Sequence, residues 1–273
     1  MNRRDFMQTT LGTTFAAAVL PTLAQNPIIT SAAGLDVGQV SIQSGGQSVP
    51  LYYARPEGKK NPPVVLVVSE IFGVHQHIAD IARRFAQLGY LALAPDLFVR
   101  QGDASSYTSM PELFKDIITK TPDVEVLQDL DACVAWAASH GGDTAKLGIT
   151  GFCWGGRITW LYAAHNPKVK AAVAWYGKLT QDKTPLQPQN PLELAASLRV
   201  PVLGLYGGKD SGIPLESVER MRAELAKGKS GSEFVIYPEA GHAFHADYRP
   251  SYVEAAAKDG WQRCVEWMHK HGV

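Results

Sequence analysis

A glycine-rich turn at residues 151–156 constrains this chain more than any other feature of its sequence. It reads Gly151-Phe-Cys153-Trp-Gly155-Gly and follows a short apolar run at residues 147–150. Glycines stand two residues before and after the cysteine, where a side chain would clash as the chain reverses. The pattern predicts a strand that turns sharply into a helix and lifts Cys153 above the strand end. Free N–H groups and the helix dipole there favour a thiolate, so Cys153 is a candidate nucleophile.

A nucleophile of this kind needs a base and an acid, and two later motifs supply them in the chain order Cys, Asp, His. One short apolar strand ends at Tyr206, and Asp210 follows in its loop; the next strand ends at Tyr237, and His242 follows. Either motif alone could be an ordinary turn or loop tip. Because all three follow apolar strands in this order, we predict a triad: Cys153 as nucleophile, His242 as base and Asp210 as the acid that orients it.

The pattern along the rest of the chain predicts an α/β fold, because strands alternate with helices. We call the turn at residues 151–156 the elbow. Before it we expect a hairpin over residues 39–44 and 49–54, a strand over 64–69, a helix over 78–88, a strand over 90–94 and a helix over 124–139. After it we expect a strand over 170–175 and a last helix over 251–270. Together with the elbow, this alternation predicts the α/β-hydrolase fold, a mostly parallel sheet with helices on both faces. Residues 101–123 are polar without a clear period, and we expect an irregular, lid-like excursion there.

Composition excludes several classes of function. The chain has 273 residues, zero formal net charge and a pI near 7.1, which suits one globular domain. Such a charge balance gives no electrostatic case for binding nucleic acid or an anionic membrane surface. The three cysteines, Cys133, Cys153 and Cys264, do not form the even set of a disulfide framework. No cysteine and histidine stand at metal-ligand spacing, so we predict neither a metal nor a cofactor.

The first 24 residues have the pattern of an export signal. A twin-arginine motif at Arg3 and Arg4 precedes an uncharged, moderately apolar stretch that ends with small residues at Ala24. That stretch is too short for a transmembrane helix. We therefore predict a signal peptide over residues 1–24, a linker over 25–37 and one catalytic domain over 38–273. The precursor would use the twin-arginine export machinery, and the mature chain would be periplasmic or otherwise exported, without stable membrane association. The alternative is a disordered N-terminus on a cytoplasmic protein.

Six residue strings together resemble the dienelactone hydrolases, also called carboxymethylenebutenolidases. They lie at residues 67–73, 94–100, 151–156, 176–177, 206–210 and 241–244. The resemblance covers residues 38–272 and implies the same roles for Cys153, Asp210 and His242 that the motifs predict.

The resemblance also implies site residues outside the triad. Glu70, after the third strand, would contact the resting thiol and control its ionisation. The backbone N–H groups of Ile71 and Trp154 would form the oxyanion hole. Arg100 would bind a substrate carboxylate through its planar fork. In addition, Tyr176 follows the strand over residues 170–175 and is expected to direct its hydroxyl into the site.

In one respect the chain departs from that family. A second carboxylate-binding arginine is expected four residues after His242, and Ala246 stands there instead. The natural substrate therefore need not be a dienelactone. We predict a carboxylic ester hydrolase that acts on small activated esters or lactones through a cysteine acyl-enzyme. Two alternatives remain at this stage. A cysteine-dependent acyltransferase or thioesterase would share the acyl-enzyme, and a non-catalytic binding protein would share the fold.

Overall fold

The computed structural model describes residues 27–273, so the predicted signal peptide lies outside the described residues. The strands of the described part are β1 (Leu35–Ser44), β2 (Gln47–Pro56), β3 (Pro63–Val68), β4 (Leu91–Pro95), β5 (Asp143–Phe152), β6 (Val169–Trp175), β7 (Val202–Gly207) and β8 (Glu233–Tyr237). The α-helices are α1 (Gln76–Gln87), α2 (Met110–Asp116), α3 (Asp123–Ser139), α4 (Trp154–His165), α5 (Pro191–Leu194), α6 (Leu215–Leu225) and α7 (Glu254–Lys270). Short 3₁₀ turns lie at Ala104–Ser106, Ile118–Lys120 and Ala195–Ser197.

All eight strands belong to one sheet with the order β1-β2-β4-β3-β5-β6-β7-β8. β1, β2 and β4 pair antiparallel, and the remaining pairs are parallel. The central strands β3 and β4 are buried almost throughout, as expected for apolar runs covered on both faces. The predicted α/β fold with a mostly parallel sheet is confirmed. The pairing order brings the ends of β3 and β6 to either side of the end of β5, which carries the elbow.

Two of the boundaries that differ from the prediction have an evident cause. α1 begins at Gln76, not at residue 78, because the Nδ1 atom of His75 caps the helix by accepting the N–H of His77 at 3.4 Å. The ordered fold also begins before residue 38. β1 starts at Leu35, and the N–H of Ile28 donates to Asp247 at 3.2 Å, which ties the N-terminal segment to the domain.

The segment over residues 101–123 is more regular than its sequence suggests. It contains α2 and two of the 3₁₀ turns, and Leu113, Ile117 and Ile118 are buried. The Nε2 atom of Gln187 donates to the carbonyl of Ile118 at 2.8 Å and holds the segment against the domain. Its helices were missed because a seven-residue helix is too short to show a period of 3.6 residues.

Candidate active site

The elbow places Cys153 in a strained backbone conformation between β5 and α4. Its φ is 54° and its ψ is −113°, which side chains with a Cβ rarely adopt. A Cβ on Gly155 would lie 2.5 Å from the carbonyl oxygens of Val68 and Ser69, and one on Gly151 would collide with the carbonyl of Gly155. The two glycines therefore let the start of α4 pack against the end of β3, as their spacing predicts.

Backbone strain is concentrated at this edge of the sheet. Among the described residues, four non-glycine residues have a positive φ, and three of them are Cys153, Tyr176 and Ala243, which follows His242. The fourth, Asn61, precedes β3. Strained residues of this kind persist where the surrounding structure holds them, and they cluster at functional sites. The N–H of Cys153 donates to the carbonyl of Trp175 at 3.0 Å and fixes the elbow to β6.

His242 and Asp210 form a direct pair beside the elbow. The Nδ1 atom of His242 lies 2.7 Å from Oδ2 of Asp210, whose side chain is buried. The N–H of Lys209 donates to the carbonyl of Ala240 at 2.9 Å, so the two loops that carry the pair are held in register. Burial opposes a charge on His242, but its interactions with Asp210 and Cys153 favour the imidazolium and raise the pKa of His242 to about 10.

The other two cysteines have surroundings that suppress thiolate chemistry. Cys133 in α3 and Cys264 in α7 are fully buried. Burial raises the pKa of Cys133 well above its usual range and the pKa of Cys264 to about 12. Cys153 is the partly exposed cysteine of the three. It is therefore the thiol that a substrate can reach.

The two N–H groups expected to form the oxyanion hole lie at the elbow edge. Trp154 is the first residue of α4, where N–H groups have no partner within the helix. Ile71 lies in the turn after β3. Among the described residues, neither N–H donates a hydrogen bond to another group. Both donors are thus free to bind an oxyanion, and the positive end of the α4 dipole would assist Trp154.

Glu70 lies at the end of β3 with its side chain buried, and its contacts are not the ones expected. Its Oε2 atom accepts the hydroxyl of Tyr248 and lies 3.6 Å from Nε2 of His75. Burial would raise the pKa of Glu70, but His75, His77 and the Tyr248 hydroxyl lower it to about 2. The contact with the resting thiol is not among these interactions and stays a prediction.

Tyr176 follows β6, and its side chain is fully buried. Its ring stands edge-on to that of His242 with the centroids 5.2 Å apart. Burial, and then the charges of Glu70 and Cys153, raise the pKa of the Tyr176 hydroxyl well above its usual range. The hydroxyl therefore stays protonated and lies within electrostatic reach of both Glu70 and Cys153.

Arg100 is held by a partner that the sequence did not indicate. Its guanidinium forms a two-pronged pair with Asp129 at 2.6 and 2.8 Å and donates to the carbonyl of Ser44 at 3.0 Å. The Asp129 side chain is fully buried, so removing Arg100 would leave a buried carboxylate without its charge partner. A substrate would have to compete with Asp129. The substrate-binding role of Arg100 stays a prediction, and the geometry favours a structural one.

Arg249 is a second guanidinium near the site, and it is differently placed. It lies over the ring of Phe72 at 5.7 Å, and its charge lowers the pKa of Tyr176 and Tyr248 against the stronger effect of their burial. Within residues 27–273 it forms no ion pair with a carboxylate. Arg249 was not predicted as a site residue, because it lies three residues beyond Ala246, the position where the family has an arginine. Its position seven residues after His242 was the sequence signal that could have indicated an arginine near the site.

Neither a metal site nor a membrane span is found in the described part of the chain. No group of three or more His, Cys, Asp or Glu side chains there could hold a metal ion. None of the helices described is long and apolar enough to cross a bilayer.

A mostly parallel sheet with a cysteine on a strand-to-helix elbow, and a His–Asp pair at the neighbouring strand ends, defines the α/β-hydrolase class. Within that class, the chain belongs to the dienelactone hydrolase family, whose model matches residues 49–272.

Proteins similar to this chain carry names that agree with this membership. A Methylorubrum extorquens protein assigned as a carboxymethylenebutenolidase is 54% identical over 274 residues, covering 100% of this chain and 94% of its own length. An Escherichia coli protein with the same assignment is 54% identical over 267 residues, with 97% and 98% covered. The crystal structure of a Klebsiella pneumoniae protein assigned as a dienelactone hydrolase has a TM-score of 0.85 and 56% identity, covering 86% of this chain and 99% of that one. The chain is therefore a hydrolase that acts on a lactone or ester bond.

Proposed function

We propose that this hydrolase cleaves activated esters and lactones through an acyl-enzyme on Cys153. One observation carries the proposal. The strained elbow presents Cys153 to His242, which in turn is hydrogen-bonded to Asp210 at 2.7 Å. The interaction of His242 with Cys153 and its hydrogen bond to Asp210 support the assignment of nucleophile, base and orienting acid.

In the first half-reaction, His242 takes the proton of the Cys153 thiol, and the thiolate adds to the substrate carbonyl. The negative charge that develops on the carbonyl oxygen is stabilised by the N–H groups of Ile71 and Trp154, each worth about 2.7–4 kcal/mol. The carbonyl–oxygen bond of the ester then breaks, and the leaving oxygen takes the proton from His242. The product of this half-reaction is a thioester on Cys153.

In the second half-reaction, water hydrolyses the thioester. His242 removes a proton from the water as it adds to the carbonyl, and Asp210 stabilises the imidazolium that forms. The carbon–sulfur bond breaks, and the thiolate is regenerated with the carboxylic product. Because a thiolate is itself a good leaving group, the scheme favours substrates whose own leaving group is at least as good, such as enol lactones. Amides would return to substrate from the tetrahedral intermediate.

The acyl-enzyme is the direct test of this proposal. Rapid mixing with a p-nitrophenyl ester should release a burst of p-nitrophenolate that matches the active-site concentration. Mass spectrometry after acid quenching should then find the acyl group on the peptide that contains Cys153. The Cys133→Ala and Cys264→Ala variants should show the same burst. An acyl group found on another residue would contradict the mechanism.

Substrates with a carboxylate beside the lactone should depend on Arg249 and not on Arg100. Arg249→Met should lower kcat/KM for acidic lactones by about 10- to 100-fold, the loss of one charge-assisted pair, and leave neutral esters nearly unchanged. Arg100→Met should lower the melting temperature, because Asp129 loses its partner, and affect both substrate classes equally. Paired kinetics on acidic and neutral substrates measure the difference. A selective loss in Arg100→Met would instead support the role that the family resemblance implies for Arg100.

We also propose that the chain is made with a twin-arginine leader and acts outside the cytoplasm. Replacing Arg3 and Arg4 with lysine should leave an uncleaved precursor in the cytoplasm, because the export machinery reads the arginine pair. Cell fractionation and the mass of the N-terminal peptide measure the result. Mature protein that still appears outside the cytoplasm in this variant would rule out the proposed route.

A further inference from the structure

Glu70 takes part in a buried polar cluster that the acyl-enzyme scheme leaves unexplained. Its Oε2 atom contacts Tyr248 and His75, whereas its Oε1 atom has no hydrogen-bond partner among the residues described. A buried carboxylate with one unused oxygen is costly, so such an arrangement is retained for a reason. Neither Tyr248 nor His75 was singled out as a site residue from the sequence.

His75 faces Glu70 as a neutral ring, with its Nε2 atom 3.6 Å from the carboxylate. Its Nδ1 atom accepts the N–H of His77, so the proton of the neutral ring is on Nε2, the atom that faces Glu70. Burial lowers the pKa of His75 despite the opposing effect of Glu70, which keeps the ring neutral at neutral pH. The ring of Tyr248 stands edge-on to His75 with the centroids 4.8 Å apart. The Glu70 carboxylate thus accepts the hydroxyl of Tyr248 and lies beside the Nε2 atom of His75.

The backbone that leads into Glu70 lies against the elbow that carries Cys153. The carbonyl oxygen of Ser69, the residue before Glu70, packs against Gly155 in the elbow, two residues after Cys153. The charges of Glu70 and Cys153 both raise the pKa of the Tyr176 hydroxyl, after the larger effect of burial. A side-chain rotation of Glu70 away from Tyr248 would therefore bring its charge towards the thiol. In the arrangement observed, Cys153 interacts with His242 instead.

Several charged and titratable groups face this cluster from different parts of the fold. They are His75 and His77 at the start of α1, His245, Tyr248 and Arg249 after His242, Tyr176 after β6, and Cys153 at the elbow. Burial opposes ionisation of Glu70, but its contacts hold its pKa at about 2, so the carboxylate is ionised throughout the neutral range. Because the charge of the Glu70 carboxylate does not change in this range, its effect on the Cys153 thiol depends on where the carboxylate lies.

We propose that Tyr248 and His75 are positioning residues that hold the Glu70 carboxylate away from Cys153 and so favour the state in which the thiol is paired with His242. The inference rests on the proposed role of Cys153 as nucleophile. Glu70 has two positions in this scheme, one on the Tyr248–His75 pair and one against the thiol. The second position disfavours the thiolate by like-charge repulsion and by accepting the S–H hydrogen bond. Tyr248 and His75 determine how the Glu70 carboxylate is distributed between the two positions.

Removing one of these two side chains should shift that distribution towards the thiol. In Tyr248→Phe, the midpoint of the pH profile for alkylation of Cys153 by iodoacetamide should rise by about one pH unit, as expected for a carboxylate brought near the thiol. Acylation in single-turnover kinetics should slow, with little change in KM. His75→Asn should act in the same direction, since asparagine can still cap α1 but is too short to reach Glu70. Tyr252→Phe, a tyrosine of the same segment without a hydrogen bond to Glu70, is the matched control and should match wild type.

The decisive comparison combines these changes with Glu70→Gln. Because glutamine has no charge to bring to the thiol, Tyr248→Phe should have no further effect in the Glu70→Gln background. A shift that persists there, or no shift in either single variant, would overturn the positioning role. The alkylation profile is read on the thiol itself, so it does not depend on turnover. A failure of the acyl-enzyme proposal would appear separately, as turnover retained by Cys153→Ala.

Discussion

Cys153→Ala is expected to lose turnover of activated esters by a factor on the order of 10⁶, the scale seen when the nucleophile of a triad is removed. The reason is that no other described thiol can take its place. Cys133 and Cys264 are fully buried, and burial keeps both of them protonated. Steady-state kinetics with a p-nitrophenyl ester measure the loss, and the burst of p-nitrophenolate should disappear with it.

The two buried cysteines provide the controls for that result. Cys133→Ala and Cys264→Ala should keep kcat within about threefold of wild type, because both side chains are fully buried and cannot meet a substrate. Each should instead lower the free energy of unfolding by about 1 kcal/mol, the usual effect of a modest core truncation. If Cys153→Ala retained more than a small fraction of wild-type kcat, the nucleophile would have to be sought elsewhere.

The second large effect is expected from Asp210→Asn, which should lower kcat by about 10⁴-fold. Asp210 accepts the Nδ1 proton of His242 and so presents the other ring nitrogen to Cys153. Asparagine can offer an N–H to Nδ1 and stabilise the wrong tautomer. Asp96→Asn is a matched control, because Asp96 also follows a strand at this edge but accepts the backbone N–H of Phe98. It should retain activity, and an equal loss in both variants would contradict the specific role of Asp210.

The same pair should leave a pH signature in stability. The pKa of His242 is raised from 6.5 to about 10 in the folded chain, so the interaction stabilises the fold fully below pH 6.5 and is lost as the pH rises through about 10. The difference in melting temperature between wild type and Asp210→Asn should therefore be largest at low pH and shrink above neutrality. A difference that grew with pH would contradict this assignment of the charge.

The elbow and the alternation of strands and helices could be predicted from sequence because both depend on local rules. Only glycine fits beside the reversal at Cys153, and apolar runs between turns mark the strands. The order of Cys153, Asp210 and His242 along those strands then places the three at one edge, since parallel strands end on the same side. The helix in residues 110–116 was missed for the converse reason, because seven residues make only about two turns and show no clear period.

The partners of the charged side chains could not be predicted in this way. Tyr248 meets Glu70 across 178 positions of sequence, and Arg100 meets Asp129 across 29. No spacing rule connects such pairs, because they depend on how the loops after β3, β4 and β8 pack against each other and against α3. The family resemblance supplied roles for Glu70 and Arg100, but it said nothing about what holds them in this chain.

The sequence by itself therefore determined the architecture and singled out the proposed nucleophile, because glycine placement, apolar periodicity and strand order act over a few residues and leave few alternatives. Only the tertiary structure decided which charged side chains are bound to partners within the fold and which are not. Arg100 is bound to a buried carboxylate, and Arg249 lacks a carboxylate partner in the described chain. Glu70 accepts the hydroxyl of Tyr248 beside the neutral ring of His75. The physical reason is that the residue type gives the charge of a side chain, whereas its burial and its partners depend on contacts between segments that are distant in sequence.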